Sequence, residues 1–195
     1  MAESRNGPLR ADARRNRAAI VAQARAAVEE LGSEVPLERI AKDARVTART
    51  LFRHFPTKED LLTAVLEDYF SERVEPVLRR AAADDDPRRA LATALAESTA
   101  VFVEHPRILE LVGGGRAAAI ASRYLRPLDE VLTRARQAGV VRADLTPEDF
   151  PCLVTMLVAS ADHVGRGWSR YLALVLDGLS PEAASAPLPP APAPA

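Results

Sequence analysis

The chain has one cysteine, Cys152, among 195 residues. An internal disulfide is therefore impossible, and a cysteine-rich zinc module is excluded. The three histidines, His54, His105 and His163, lie 51 and 58 positions apart, with no carboxylate at i+3 or i+4, so no metal site is expected. No nucleophile–base pair stands out, so no catalytic residue, cofactor or enzymatic activity is expected. Gly113–Gly114–Gly115 lacks the preceding strand and following Lys-Ser/Thr of a phosphate loop and reads as a connection. No stretch approaches the ~20 apolar residues of a membrane span. The opening MAESRNGPLRADARR lacks the apolar core of a secretory signal, so a soluble, cytoplasmic protein with no membrane partner is expected. Aromatic residues are only 5% of the chain, and of 26 basic residues only Lys42 and Lys58 are lysine. Strand-like alternation and internal repeats are both missing.

What is present is helical periodicity. Ile20, Ala24, Ala27, Val28 and Leu31 occupy one face of a helix from about Asp12 to Leu31, closed by Gly32. Pro36 suits a first helical position before Leu37, Ile40, Ala41 and Ala44. After a break at Arg45–Val46, Thr47 can cap a short third helix reaching about Phe55. Pro56 stops it, and Thr57 with Asp60 resembles a capping box for a fourth helix over about 58–82, kinked or split at Pro76. Asp86–Pro87 opens a fifth helix and His105–Pro106 closes it. A short sixth helix runs up to the glycines. A seventh spans about 117–138 around Pro127. Thr146–Pro147 opens an eighth, and Gly165 and Gly167 separate that from a ninth. The sequence thus predicts an all-α protein of about nine helices, followed by a Pro/Ala-rich tail at 181–195 that is expected to be disordered.

Charge is unevenly divided. Residues 1–60 carry 12 Lys/Arg against 9 Asp/Glu, while residues 61–195 carry 14 against 18. A basic front on an acidic body suits a polyanionic partner. Residues 37–55 form two short helices around a tight turn, the helix-turn-helix arrangement. On a wheel of 100° per residue, Leu51 and Phe55 face inward and Arg49 and Arg53 face outward, flanked by Ala48, Phe52 and Thr50. In a major groove Arg can donate two bonds to guanine, while Ala and Thr can touch a thymine methyl. Lys58, in the first turn of the next helix, suits a phosphate. Arg14, Arg15 and Arg17 begin helix one on the same basic front.

These residues carry a resemblance. PLERIAKDA at 36–44 followed by VTARTLFRHFPTKEDLL at 46–62 resembles the DNA-binding domain of TetR-family transcriptional regulators, closely over about 14–66. Ile40–Ala41, Thr50, Phe52, His54–Phe55 and Lys58–Glu59 are the matching positions. VVRADLTPEDF at 140–150 and RYLALVLDGL near the end are similar less specifically. The resemblance implies a homodimer on palindromic double-stranded operator DNA, usually repressing transcription, with residues 48–54 as recognition helix and Thr47 and Lys58 on phosphates. The DNA-contacting set is then Arg45, Thr47, Ala48, Arg49, Thr50, Phe52, Arg53, His54 and Lys58. Two positions depart from the pattern. Arg45 replaces the usual turn glycine, which costs roughly 1 kcal/mol if φ is positive there. Phe52 replaces the usual tyrosine and loses a hydroxyl donor.

The domain division expected is 1–57 for the reading head and 58–180 for a regulatory and dimerisation body. Helices eight and nine carry an apolar stripe each, plus Met156, Val164 and Leu174 off it. That pattern fits either a central helix of a larger core or a helix with one face in its own subunit and another on a partner, and the resemblance implies the second. Leu153, Leu157, Ala161, Trp168, Leu172, Val175 and Leu179 are the interface candidates. By the resemblance an inducer pocket would lie in the body, and Tyr69, Phe102, Tyr124, Met156, Asp162 and Trp168 are candidate lining residues, all of which also fit ordinary core. Cys152, on the apolar eighth helix, is expected to be buried. A different class stays open: an all-helical small-molecule-binding protein or enzyme that keeps the motif as scaffold, or a DNA-binding protein with no ligand.

Overall fold

A computed structural model describes residues 6–112 and 116–190. Among the described residues ten α-helices form, one more than expected, because Pro76 divides the fourth. α1 (Asn6–Leu31) starts earlier than its apolar pattern and ends at Gly32, whose φ of +75° favours glycine. α2 (Leu37–Asp43) follows Pro36, which lies just outside the helix in an extended conformation. α3 (Ala48–His54) is capped by Thr47, whose hydroxyl accepts the Thr50 N–H at 3.2 Å. α4 (Lys58–Tyr69) has a complete capping box. The Asp60 N–H donates to Thr57 Oγ1 at 3.1 Å, and the Thr57 N–H donates to Asp60 Oδ2 at 3.0 Å.

The predicted break at Pro76 appears as a π turn over Phe70–Val74, after which α5 (Glu75–Ala82) carries Pro76 in its first turn. There the missing N–H costs little, and the wider turn absorbs the residue that would otherwise clash. α6 (Pro87–Glu104) begins on the Asp86 cap, which accepts the Arg88 and Arg89 N–H groups. α7 (Pro106–Leu109) is one short turn. α8 (Arg116–Gln137) buries Leu128, Val131, Leu132 and Ala135, spaced i, i+3, i+4, i+7. Its Arg134 donates to the Ala82 and Asp84 carbonyls, covering the open end of α5. α9 (Asp149–Val164) starts three residues later than Thr146 suggests, because Asp149 turns back to accept the Thr146 N–H at 2.8 Å. α10 (Trp168–Gly178) completes the body.

One apolar core runs from Ile20, Val28 and Ile40 in the head through Leu66 and Tyr69 to Leu95, Leu132 and Leu157 in the body. α1 packs on α2, α4 and α7, while α6 is central to the body, touching α5, α8, α9 and α10. The described part of the Pro/Ala segment is held at Ala186 and Leu188, where a disordered tail was expected. Arg142 grips Asp144 and donates to the Ala186 carbonyl at 2.9 Å, and the Leu188 N–H donates to Asp144 Oδ2 at 2.7 Å. Residues 191–195 lie outside the described residues. No described helix is long and apolar enough to cross a membrane.

Candidate nucleic-acid interface and regulatory cavity

α3 is held by two buried side chains, Leu51 and Phe55, leaving the opposite face to solvent. Ala48, Arg49 and Arg53 are exposed there, Phe52 is 48% exposed, and Thr50 is half-buried. Thr47 Oγ1 also lies 3.0 Å from Thr50 Oγ1, so the cap fixes both hydroxyls at the start of the helix. Arg17 from α1 stacks its guanidinium 5.1 Å from the Phe55 ring centre, which brings the basic start of α1 beside the end of α3. Arg15 pairs instead with Asp12.

The turn before α3 is built as a helix C-terminal motif. The Val46 N–H donates to the Ala41 carbonyl at 2.9 Å and the Arg45 N–H to Lys42 at 3.0 Å. That wrap needs a left-handed residue between them, and Arg45 supplies it with φ +55°, the sole non-glycine residue in that region among the described residues. Val46 is thereby tucked against the core.

Electrostatics separate this face from the rest. Among the described residues none of Arg45, Arg49, Arg53 and Lys58 forms an ion pair. In contrast Arg25, Arg39, Arg80, Arg89 and Arg142 all bridge carboxylates. Unpaired cations gathered on one face are the groups that can exchange small counterions for phosphates. His54 behaves differently from the others. Its Nε2 is buried without a partner, and burial, reinforced by the Arg53 and Arg17 charges, holds the imidazole below the ordinary histidine range. A neutral ring turned inward is a structural wedge at the end of α3, and that nitrogen offers nothing to DNA.

In the body, a cavity of about 50 Å³ lies between the π turn, α5, α6, α8 and α9, walled by Phe70, Val74, Phe102, Phe150 and Val154 among others. Of the expected pocket residues whose side chains are described, only Phe102 lines it. Tyr69 is fully buried beside Phe102, its ring centre 5.7 Å away, and donates to the Val101 carbonyl at 3.0 Å. Burial pushes its phenol pKa up. Met156 is 62% exposed, and Trp168 is half-buried away from the cavity. These two are corrections to the expected pocket: α9 turns Met156 outward, as its place off the apolar stripe suggested, and Trp168 stands at the start of α10. The Tyr124 and Asp162 side chains lie outside the described residues.

The interface candidates also divide. Leu157, Ala161 and Leu179 are buried in their own subunit and have no surface to give, a correction to the expected set. Leu153, Trp168, Leu172 and Val175 are half-buried. Cys152 is exposed, not buried as expected, because it lies one turn before Met156 on the outward face. Sequence reasoning missed Ser98, a buried hydroxyl on the cavity wall with no partner. A serine inside an apolar helix was the available signal. It also missed the junction between head and body. There the Arg107 guanidinium donates to the Glu30 carbonyl at 2.6 Å, and Arg25 bridges Glu29 on its own helix and Glu72 in the π turn. Among the described residues there is no group of three or more His, Cys, Asp or Glu able to hold a metal ion.

A helix-turn-helix whose outward face is unpaired cation, set on an all-helical body, defines a DNA-binding regulator. Residues 20–65 match the family described as bacterial regulatory proteins, tetR family, and residues 78–181 match the one described as transcriptional regulator SbtR-like, C-terminal domain. Solved structures agree. The TetR transcription regulatory protein from Mycobacterium vanbaalenii is 31% identical (89% of this chain, 99% of that one, TM-score 0.53). The TetR regulator SCO0520 from Streptomyces coelicolor is 26% identical (85% and 98%, TM-score 0.55). RolR in complex with resorcinol is 24% identical (92% and 97%, TM-score 0.68) and shares the fold. No curated relative matches the chain. The chain belongs to the TetR family of transcriptional regulators.

Proposed function

We propose that this regulator is a cytoplasmic homodimeric repressor that holds two-fold symmetric operator DNA through α3 and releases it when a small molecule enters the body. The observation that carries the DNA half is the unpaired set Arg45, Arg49, Arg53 and Lys58 around an exposed α3 face. Arg49 and Arg53 read base edges, with Ala48, Thr50 and Phe52 in apolar contact. Thr47, Lys58 and Arg45 hold phosphates.

Dimerisation rests on α10. Trp168, Tyr171, Leu172, Leu174, Val175 and Leu176 lie on it, yet none is fully buried. Beside it α9 exposes Met156 and Val164. A monomer gains nothing by leaving this continuous apolar face in water. Pairing it with a second copy in an isologous interface buries it and sets two recognition helices about 34–36 Å apart, one turn of DNA. This division gives a head over 1–57 and a body over 58–180.

The inducer half rests on where the cavity lies. Phe70 and Val74 line it and also form the π turn that ends α4, the helix that opens with Lys58. A ligand pressing on that turn bears on the head through Arg25 and Arg107. RolR, one of the structural neighbours, was solved in complex with resorcinol, and a small-molecule effector is proposed here by that likeness too.

The experiment is operator selection from genomic fragments, then gel shift with purified protein across a salt series. Affinity falls steeply with salt, and Lys58→Ala lowers the log–log slope by about one. Arg49→Ala relaxes specificity at particular base pairs. If neither change alters binding to the selected operator, α3 is not the reading face.

A further inference from the structure

The cavity also states what it accepts. Among the described residues its wall is apolar except at Ser98, which is 1% exposed and whose Oγ has no hydrogen-bond partner. A serine inside a helix ordinarily returns its hydroxyl to the carbonyl one turn back. Ser98 does not, so its donor and its acceptor are both unspent. Three of the chain's five phenylalanines, Phe70, Phe102 and Phe150, stand on the same wall. The Phe70 and Phe102 rings meet at 5.7 Å and 54°, a tilted pair whose faces and edges can extend to a third ring.

From this we infer that the cavity binds a compact, uncharged, largely apolar molecule of about one ring, carrying a hydroxyl or carbonyl oxygen that hydrogen-bonds Ser98 Oγ. The proposal rests on the ligand-responsive reading above and names the ligand class for it. Charge is excluded by the wall: no described lining residue is ionisable, and an unpaired charge buried there has nothing to replace its water. Size is limited by the volume. Drug-sized ligands occupy roughly 300–1,000 Å³, and about 50 Å³ holds a small ring only with a modest outward shift of side chains. Long acyl chains and nucleotide-bearing cofactors do not fit.

The test uses the full chain and three probes of one ring size: phenol, toluene and benzoate. Calorimetry and thermal unfolding are run on the wild type, Ser98→Ala and Val154→Phe. Phenol is expected to bind and raise the unfolding temperature, toluene to bind about tenfold more weakly for want of one hydrogen bond, and benzoate not to bind. Ser98→Ala is expected to bind phenol and toluene alike, and Val154→Phe, which fills the cavity, to bind neither. Benzoate binding as tightly as phenol, unchanged phenol preference in Ser98→Ala, or no binding of phenol and toluene each overturns the ligand class. Because Val154→Phe can fail to fold, the Ser98→Ala comparison alone decides the matter. Operator release is measured separately by gel shift. Phenol that binds without releasing DNA overturns the inducer reading and leaves the ligand class standing. A charged effector that releases DNA while phenol does not bind does the reverse.

Discussion

Replacing Arg45 by glycine tests the turn of the reading head most directly. Arg45 sits at φ +55° because the Val46→Ala41 and Arg45→Lys42 hydrogen bonds close around it. An L residue in that region carries a penalty of about 1–2 kcal/mol from its Cβ. Glycine removes the penalty but gives the unfolded chain more freedom, which returns about 0.4–1 kcal/mol. The net is a stabilisation of about 0.5–1 kcal/mol. For a chain of this length that raises the unfolding temperature by about 1–4 °C. The arginine also brings a charge to the proposed phosphate side, so the same change lowers the salt slope of operator binding by about one. Arg45→Ala separates the two effects. It keeps the strained backbone and loses the charge, so it binds DNA as weakly as the glycine variant without its gain in stability. The measurement is urea unfolding at fixed protein concentration, since dimerisation makes stability concentration-dependent, beside the salt series. A glycine variant no more stable than the alanine variant refutes the strain argument. An unchanged salt slope in both refutes the phosphate contact.

Four further outcomes follow from the geometry. Thr57→Ala removes the acceptor for the Asp60 N–H and half the capping box, and should cost about 1 kcal/mol by urea unfolding. His54 is held below its unfolded value near 6.5, so the folded protein resists the proton that the unfolded chain takes up. Stability should therefore be level above that value and fall as pH drops from about 6.5 toward the folded pKa. His54→Gln should flatten that part of the profile relative to the wild type in unfolding measured from pH 8 to 5. Leu174, 58% exposed on α10, should tolerate Leu174→Glu as a folded monomer by light scattering, while Leu157→Ala, inside the subunit, should lose about 2–5 kcal/mol of stability. A Leu174→Glu protein that remains dimeric would move the interface off α10.

Much of the head was legible in the sequence because its determinants are local. Thr47, and Thr57 with Asp60, cap helices through bonds to residues three positions on, as Asp86 does in the body. The inward Leu51 and Phe55 and outward Arg49 and Arg53 follow from the helical repeat alone. Even the positive φ of Arg45 was implied by the glycine its resemblance led one to expect. The body was less legible. Helices α9 and α10 are apolar on two sides, and periodicity does not say which side meets the subunit's own core. The docking of α9 on α6 does, which sends Leu157 and Ala161 inward and Met156 and Cys152 outward.

The Pro/Ala segment carries no apolar pattern, so nothing in its own residues indicates that Arg142 and Asp144, some forty positions earlier, hold its backbone. The cavity is a still stronger case. Phe70, Ser98 with Phe102, and Phe150 come from three separate elements, and only the packing of α6 against the π turn and α9 brings their side chains to one wall. The single cysteine, the arginine surplus, the caps and the reading face were thus set by composition and by neighbours within one helical turn. Which apolar face is covered, and what chemistry the body encloses, were decided by contacts between residues far apart in the chain, because burial belongs to the assembled core and not to any one helix.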